Sequence, residues 1–111
     1  MKSKAKGPQI GQPVRGSKTG KPIMVVLDLL GRRSALRVLW ELREGNPLTF
    51  RALQEAADSN PSLLNTRLRE LRDAGIVSHL GEGYVLTDIG AELLQALGPL
   101  VQWAIKWGGK I

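Results

Sequence analysis

The run Asn60-Pro61-Ser62-Leu63-Leu64-Asn65-Thr66-Arg67-Leu68-Arg69-Glu70-Leu71-Arg72-Asp73-Ala74-Gly75 constrains this chain more than any other stretch, because both ends of a helix are written into it. Asn60 has a side chain that can accept from the free N–H groups of a first turn. Pro61, at the first helical position, gives up a donor that would have no partner there, and Gly75 suits the left-handed residue that follows a last turn. Between these marks Leu64, Leu68 and Leu71 recur at i, i+4 and i+7, an apolar stripe able to seat one side of the helix on a core.

The opposite side carries Ser62, Thr66, Arg69 and Asp73, with Asn65 and Arg72 on one shoulder. Two readings of that side stand together. Short hydrogen-bonding side chains let a backbone approach base edges and arginines reach phosphate or guanine, as a helix in the DNA major groove requires. An alternation of sign through Arg69, Glu70, Arg72 and Asp73 is usually that of a solvated face. The neighbouring segments have to decide.

With 111 residues the chain can build one domain with a modest core. Cysteine is absent, which excludes a disulfide framework and a thiolate metal site and is compatible with a reducing cytoplasm. A single histidine, His79, makes neither a metal cluster nor a catalytic triad. There is no phosphate-cradling glycine motif, and Glu41 and Glu44 sit at an ordinary helix spacing, so no enzyme, metal or cofactor is expected. The most apolar early run, Ile23 to Leu30, is short and contains Asp28, unlike a membrane span or a signal segment. The expectation is a soluble cytoplasmic protein.

The net charge of +6 is unevenly placed. Lys2, Lys4, Lys6, Arg15, Lys18 and Lys21 lie in residues 1–22 with no acid among them, so the rest of the chain is formally neutral. Residues 1–22 are rich in Gly, Pro, Lys and Ser and poor in large apolar side chains, a composition that predicts a disordered basic arm. Such an arm either neutralises phosphates and enters a minor groove, as homeodomain arms do, or serves only as a solubilising tail.

Residues 23–111 are expected to form the domain proper. A short helix over Ile23–Leu30 ends near Gly31, and Ser34 is read as the cap of a second helix, Ala35–Glu44. Thr49 is the next cap, for a helix of about eight residues through Ala52, Leu53 and Ala56. Asp58-Ser59-Asn60 turns into the 61–74 helix, completing a helix-turn-helix. Ile76–Leu80 and Tyr84–Leu86 are β-rich, with Gly81-Glu82-Gly83 as a tight turn, and predict a two-stranded wing whose tip carries no cation. Thr87 caps a helix over 88–97, interrupted by Gly98-Pro99 and continued over 99–107. That region holds more apolar residues than a small domain needs. Leu93, Leu97, Leu100, Val101, Trp103, Ala104 and Trp107 either meet a second copy or cover the chain's own core, and the two tryptophans at i, i+4 favour the interface.

In this order of elements, residues 24–107 resemble the HxlR-type winged-helix transcription regulators, MarR-like proteins of bacteria and archaea. The resemblance rests on Leu30-Gly31-Arg32-Arg33, Pro47-Leu48-Thr49-Phe50-Arg51-Ala52-Leu53, Pro61 to Gly75, Tyr84-Val85-Leu86-Thr87-Asp88-Ile89-Gly90, and Leu100-Val101-Gln102-Trp103. Ser34 stands where the family commonly has a tryptophan, the wing is shorter than usual, and the N-terminal cysteine through which some members sense oxidants or aldehydes is missing. Thiol sensing is thereby excluded.

The resemblance implies a mainly α fold with a small β-hairpin (α+β), a winged helix-turn-helix with a C-terminal dimerisation helix. It further implies a homodimer that binds double-stranded DNA in a sequence-specific way. Ser62, Asn65 and Thr66 are the expected base-reading residues, Arg69 is expected to contact a base or a phosphate, and Arg32, Arg33, Arg51 and Arg72 are the expected backbone contacts. The competing class is a winged-helix protein-interaction module whose basic tail binds nucleic acid without selectivity.

Overall fold

The computed structural model describes residues 7–110. In chain order the elements are α1 Pro22–Leu30, α2 Ala35–Glu41, β1 Leu48–Thr49, α3 Phe50–Ala57, α4 Pro61–Asp73, β2 Val77–Leu80, β3 Gly83–Leu86 and α5 Asp88–Gly108. Helix α4 is framed as its sequence dictates. The Asn60 side chain accepts from Leu63 N–H at 2.8 Å, and Gly75 follows the helix with φ +75°. The stripe Leu64, Leu68, Leu71 is at most 2% exposed and packs among Leu39, Leu42, Leu53 and Ile76. Burying each such leucine contributes about 1.5–3 kcal/mol, so α4 is seated on the core along its whole length.

Helix α3 starts as expected, with Thr49 Oγ1 accepting from Ala52 N–H at 3.1 Å. Helix α2 departs from expectation at both ends. Ser34 has φ +72° and makes no side-chain cap bond, because residues 32–35 close a turn through Ala35 N–H to the Arg32 carbonyl at 3.1 Å. After Glu41 the hydrogen bonds tighten to three-residue spacing, Leu42 to Leu39 and Arg43 to Trp40, so the expected extension to Glu44 is a series of turns.

The wing is a three-stranded antiparallel sheet in the order β1-β3-β2, where two strands were expected. Leu48 pairs with Tyr84 and Thr49 with Gly83, a strand too short for alternation to reveal. The hairpin turn is Gly81-Glu82 alone, since Leu80 pairs with Gly83. Gly83 is required for another reason: a Cβ there would stand 2.7 Å from Pro47 Cβ, where β1 begins. His79 is exposed but stacks on its cross-strand partner Tyr84 with ring centroids 4.3 Å apart.

The C-terminal region is one helix, Asp88–Gly108, with Pro99 inside it, and not the two segments 88–97 and 99–107. Proline removes only one bond of the ladder, and the clash its ring makes with a preceding side chain is absent because residue 98 is glycine.

Of the expected disordered arm, residues 1–6 lie outside the described residues. From Gly7 the segment follows a defined course: Gly11 N–H bonds to the Gly20 carbonyl at 3.0 Å and Val14 bridges Ser17. Arg15 N–H reaches the Asp28 carboxylate at 3.3 Å, and Gly7 lies against the Glu70 side chain. Backbone hydrogen bonds hold this stretch where apolar burial is scarce. Among the described residues no helix is long and apolar enough to cross a membrane.

Candidate nucleic-acid interface

Helix α3, the turn at Asp58-Ser59 and helix α4 make the helix-turn-helix. Asp58 takes φ +49°, which bends the chain so that α4 leaves α3 with its leucine stripe inward. The outward side of α4 exposes Ser62, Asn65, Arg69 and Arg72. Thr66 is half-buried and its hydroxyl donates to the Ser62 carbonyl at 3.1 Å, which leaves the oxygen's lone pairs free to accept. Neither Arg69 nor Arg72 makes an ion pair among the described residues, so both guanidiniums stand free on that side. The arrangement offers short polar groups near the N-terminal end of α4 and two unengaged cations further along.

The other expected backbone contacts divide. Arg51, on α3, is 90% exposed and only loosely opposite Glu55 at 4.0 Å. Arg33 exposes its side chain, while its carbonyl accepts from Arg67 Nε at 2.7 Å. Arg32 is turned inward: it bonds the Glu70 carboxylate at 2.6 Å and lies 3.5 Å from Asp28. Its first role is to dock the loop before α2 on the flank of α4.

Sequence reasoning missed the two residues that organise this flank. Arg67 bonds Glu70 at 3.1 Å, and Glu70 is 3% exposed, so the pair is not part of a solvated face. A signal was present: both lie on the edge of the helix next to the leucine stripe, one turn apart, where charges are covered if anything packs beside the helix.

The residues expected at a dimer surface also divide. Leu93 and Leu97 are half-buried and lean on the chain's own core, the alternative that the composition left open. Leu100, Val101, Trp103, Ala104 and Trp107 are exposed, and the rings of Trp103 and Trp107 stack with centroids 5.6 Å apart. Between α2 and α5 an apolar groove of about 490 Å³ runs past Leu36, Trp40, Leu94 and Val101.

Comparison with known proteins agrees with this geometry. Residues 32–78 match a family model described as winged helix-turn-helix DNA-binding. The crystal structure of quinone-bound YodB from B. subtilis superposes with a TM-score of 0.67 at 25% identity, covering 81% of this chain and 98% of that one. A MarR family protein of Mycobacterium tuberculosis, Rv2887, superposes with a TM-score of 0.60 at 27% identity over 70% of this chain, which spans 63% of its length. No curated protein sequence matches the chain. The helix-turn-helix and the strands beside it form a winged helix-turn-helix DNA-binding domain, with the overall fold of MarR-type transcription regulators.

Proposed function

We propose that the chain is a cytoplasmic, non-enzymatic transcription regulator of the HxlR type, which binds double-stranded DNA in a sequence-specific way as a homodimer. The observation that carries this reading is α4 itself, capped at its start, seated on the core by three leucines, and presenting Ser62, Asn65 and Arg69 outward. In the major groove Ser62, Asn65 and Thr66 read base edges and Arg69 reads guanine or holds a phosphate. Arg33, Arg51 and Arg72 contact the backbone, and Arg32 supports them from the loop it anchors.

The exposed apolar surface of α5 supports the homodimer. Leu100, Trp103 and Trp107 share one side of α5 and are each more than half exposed, with Val101 and Ile105 exposed further round the helix. Pairing through it sets two copies of α4 in successive major grooves about 34 Å apart.

The test is salt-titrated binding of the full chain to a random duplex library, with Arg69→Ala and Thr66→Ala beside it. Enrichment of one sequence, weakened by about 1–3 kcal/mol in each variant with non-specific binding spared, is the expected result. Weak, unselective binding insensitive to both substitutions would overturn the reading and leave the α5 tryptophans as the surface for a different protein partner.

A further inference from the structure

A polar pocket of about 520 Å³ opens between the N-terminal segment, the end of α1 and the flank of α4. Four arginines converge on it: Arg15, Arg32, Arg33 and Arg67. Two carboxylates answer them. Asp28 lines the pocket, and Glu70, behind it, holds Arg32 and Arg67. The cluster therefore keeps two positive charges in excess.

The engaged arginines are not exhausted by their partners. A guanidinium offers five N–H donors in a planar fork. Arg67 uses Nε on the Arg33 carbonyl and one terminal nitrogen on Glu70, which leaves its other terminal nitrogen free. Arg32 gives one terminal nitrogen to Glu70 and holds its Nε 3.5 Å from Asp28, so its other terminal nitrogen is also unspent. Arg15 and Arg33 make no ion pair among the described residues, and both are exposed at the pocket rim. Asp28 accepts from Arg15 N–H at 3.3 Å and lies 3.5 Å from Arg32 Nε, which offsets part of its repulsion for an anion. Pinned forks with spare donors, joined by two exposed ones without ion pairs, match the chemistry of a tetrahedral oxyanion.

We propose that this pocket is an oxyanion site of phosphate chemistry, with Arg67 and Arg32 as the fixed donors and Arg15 and Arg33 closing over the bound group. Its α4 member, Arg67, belongs to the helix whose outward side carries Asn65 and Arg69, so the phosphate can come from the backbone of a bound duplex or from a free anion. The site adds to the DNA-binding reading and does not depend on it.

The test is a titration of the full chain with inorganic phosphate at fixed ionic strength, followed at the arginine Nε–H resonances by NMR. Saturable shifts confined to Arg15, Arg32, Arg33 and Arg67 are expected. The double variant Arg15→Gln with Arg33→Gln, which leaves the Glu70 pairs intact, should weaken phosphate at least about tenfold, as expected for lost charge-assisted bonds. Lys106→Gln, at the far end of α5, should leave it unchanged. Shifts that never saturate, that spread over all basic residues, or that persist in the double variant overturn the proposal. Repeating the titration with duplex present assigns the source: if the duplex moves these resonances and abolishes their response to phosphate, the backbone is the ligand, and if phosphate still saturates them it is a free anion. A chain that binds phosphate here but selects no duplex sinks the DNA-binding reading and leaves this site standing.

Discussion

Arg32 and Glu70, 38 residues apart in sequence, meet at 2.6 Å with the Glu70 side chain 3% exposed. Together with Arg67, this pair fixes the loop before α2 against α4. Glu70→Ala leaves two partly covered guanidiniums without their acceptor and is expected to cost about 1–3 kcal/mol in urea unfolding, at unchanged slope. Glu55→Ala, which removes an exposed partner of Arg51, should not move the midpoint measurably.

Both helices of the helix-turn-helix start on side-chain caps, and α2 does not. Asn60→Ala and Thr49→Ala are each expected to cost about 1 kcal/mol. Ser34→Ala should cost nothing attributable to a cap, because Ser34 makes no such bond. Ser34→Gly should raise the melting temperature, since φ +72° is strained for serine and open to glycine.

Gly90 sits where the first turn of α5 crosses the start of the wing, and a methyl group there would collide with the Ile76 carbonyl oxygen. Gly90→Ala is expected to destabilise the fold by more than the ordinary gain of about 0.5–1 kcal/mol for replacing glycine in a helix. A melting temperature equal to or above that of the parent chain would show that α5 can slide off the wing without penalty.

Trp103→Ala with Trp107→Ala removes the stacked pair from the exposed side of α5. If the parent chain pairs as proposed, sedimentation should report the variant as a monomer at concentrations where the parent sediments as a dimer, with the melting curve of the dilute protein nearly unchanged. A dimer that survives the loss of both rings would place the contact elsewhere.

Deleting residues 2–6 removes Lys2, Lys4 and Lys6 and leaves the packed segment from Gly7 in place. If these lysines each neutralise a phosphate, the slope of log binding constant against log salt flattens by up to about 3 for each protomer. An unchanged slope would assign the tail to solubility alone.

Helix boundaries marked by a cap and a glycine could be read from residues, as Asn60, Thr49, Thr87 and Gly75 show, because those signals are local. The leucine stripe of α4 was legible for the same reason. What escaped depends on contacts between distant segments. The two residues of β1 become a strand only because Tyr84 and Gly83 lie alongside them. Glu70 looks like one more charge in an alternating run until Arg32 arrives from the preceding loop. Composition judged the segment after Gly7 by its lack of apolar side chains, whereas backbone bonds to Gly20 and Asp28 hold it. Pro99 read as a break because its effect depends on the residue before it, and that residue is glycine.

A single hydroxyl joins the two long helices. Thr87 Oγ1 donates to the Gly75 carbonyl at 2.6 Å, just past the end of α4, and accepts from Gly90 N–H at 3.1 Å in the first turn of α5. Helix α5 then runs on for 21 residues, a rigid arm of roughly 31 Å at 1.5 Å per residue. Tilting that arm by about 5° at the threonine displaces its far end by about 3 Å, close to one base-pair rise of roughly 3.4 Å. In the proposed homodimer, paired through the far part of α5, the angle between α4 and α5 at Thr87 would set the distance between the two recognition helices. A change of this one side chain should then alter which operator spacing is preferred before it alters which bases are read.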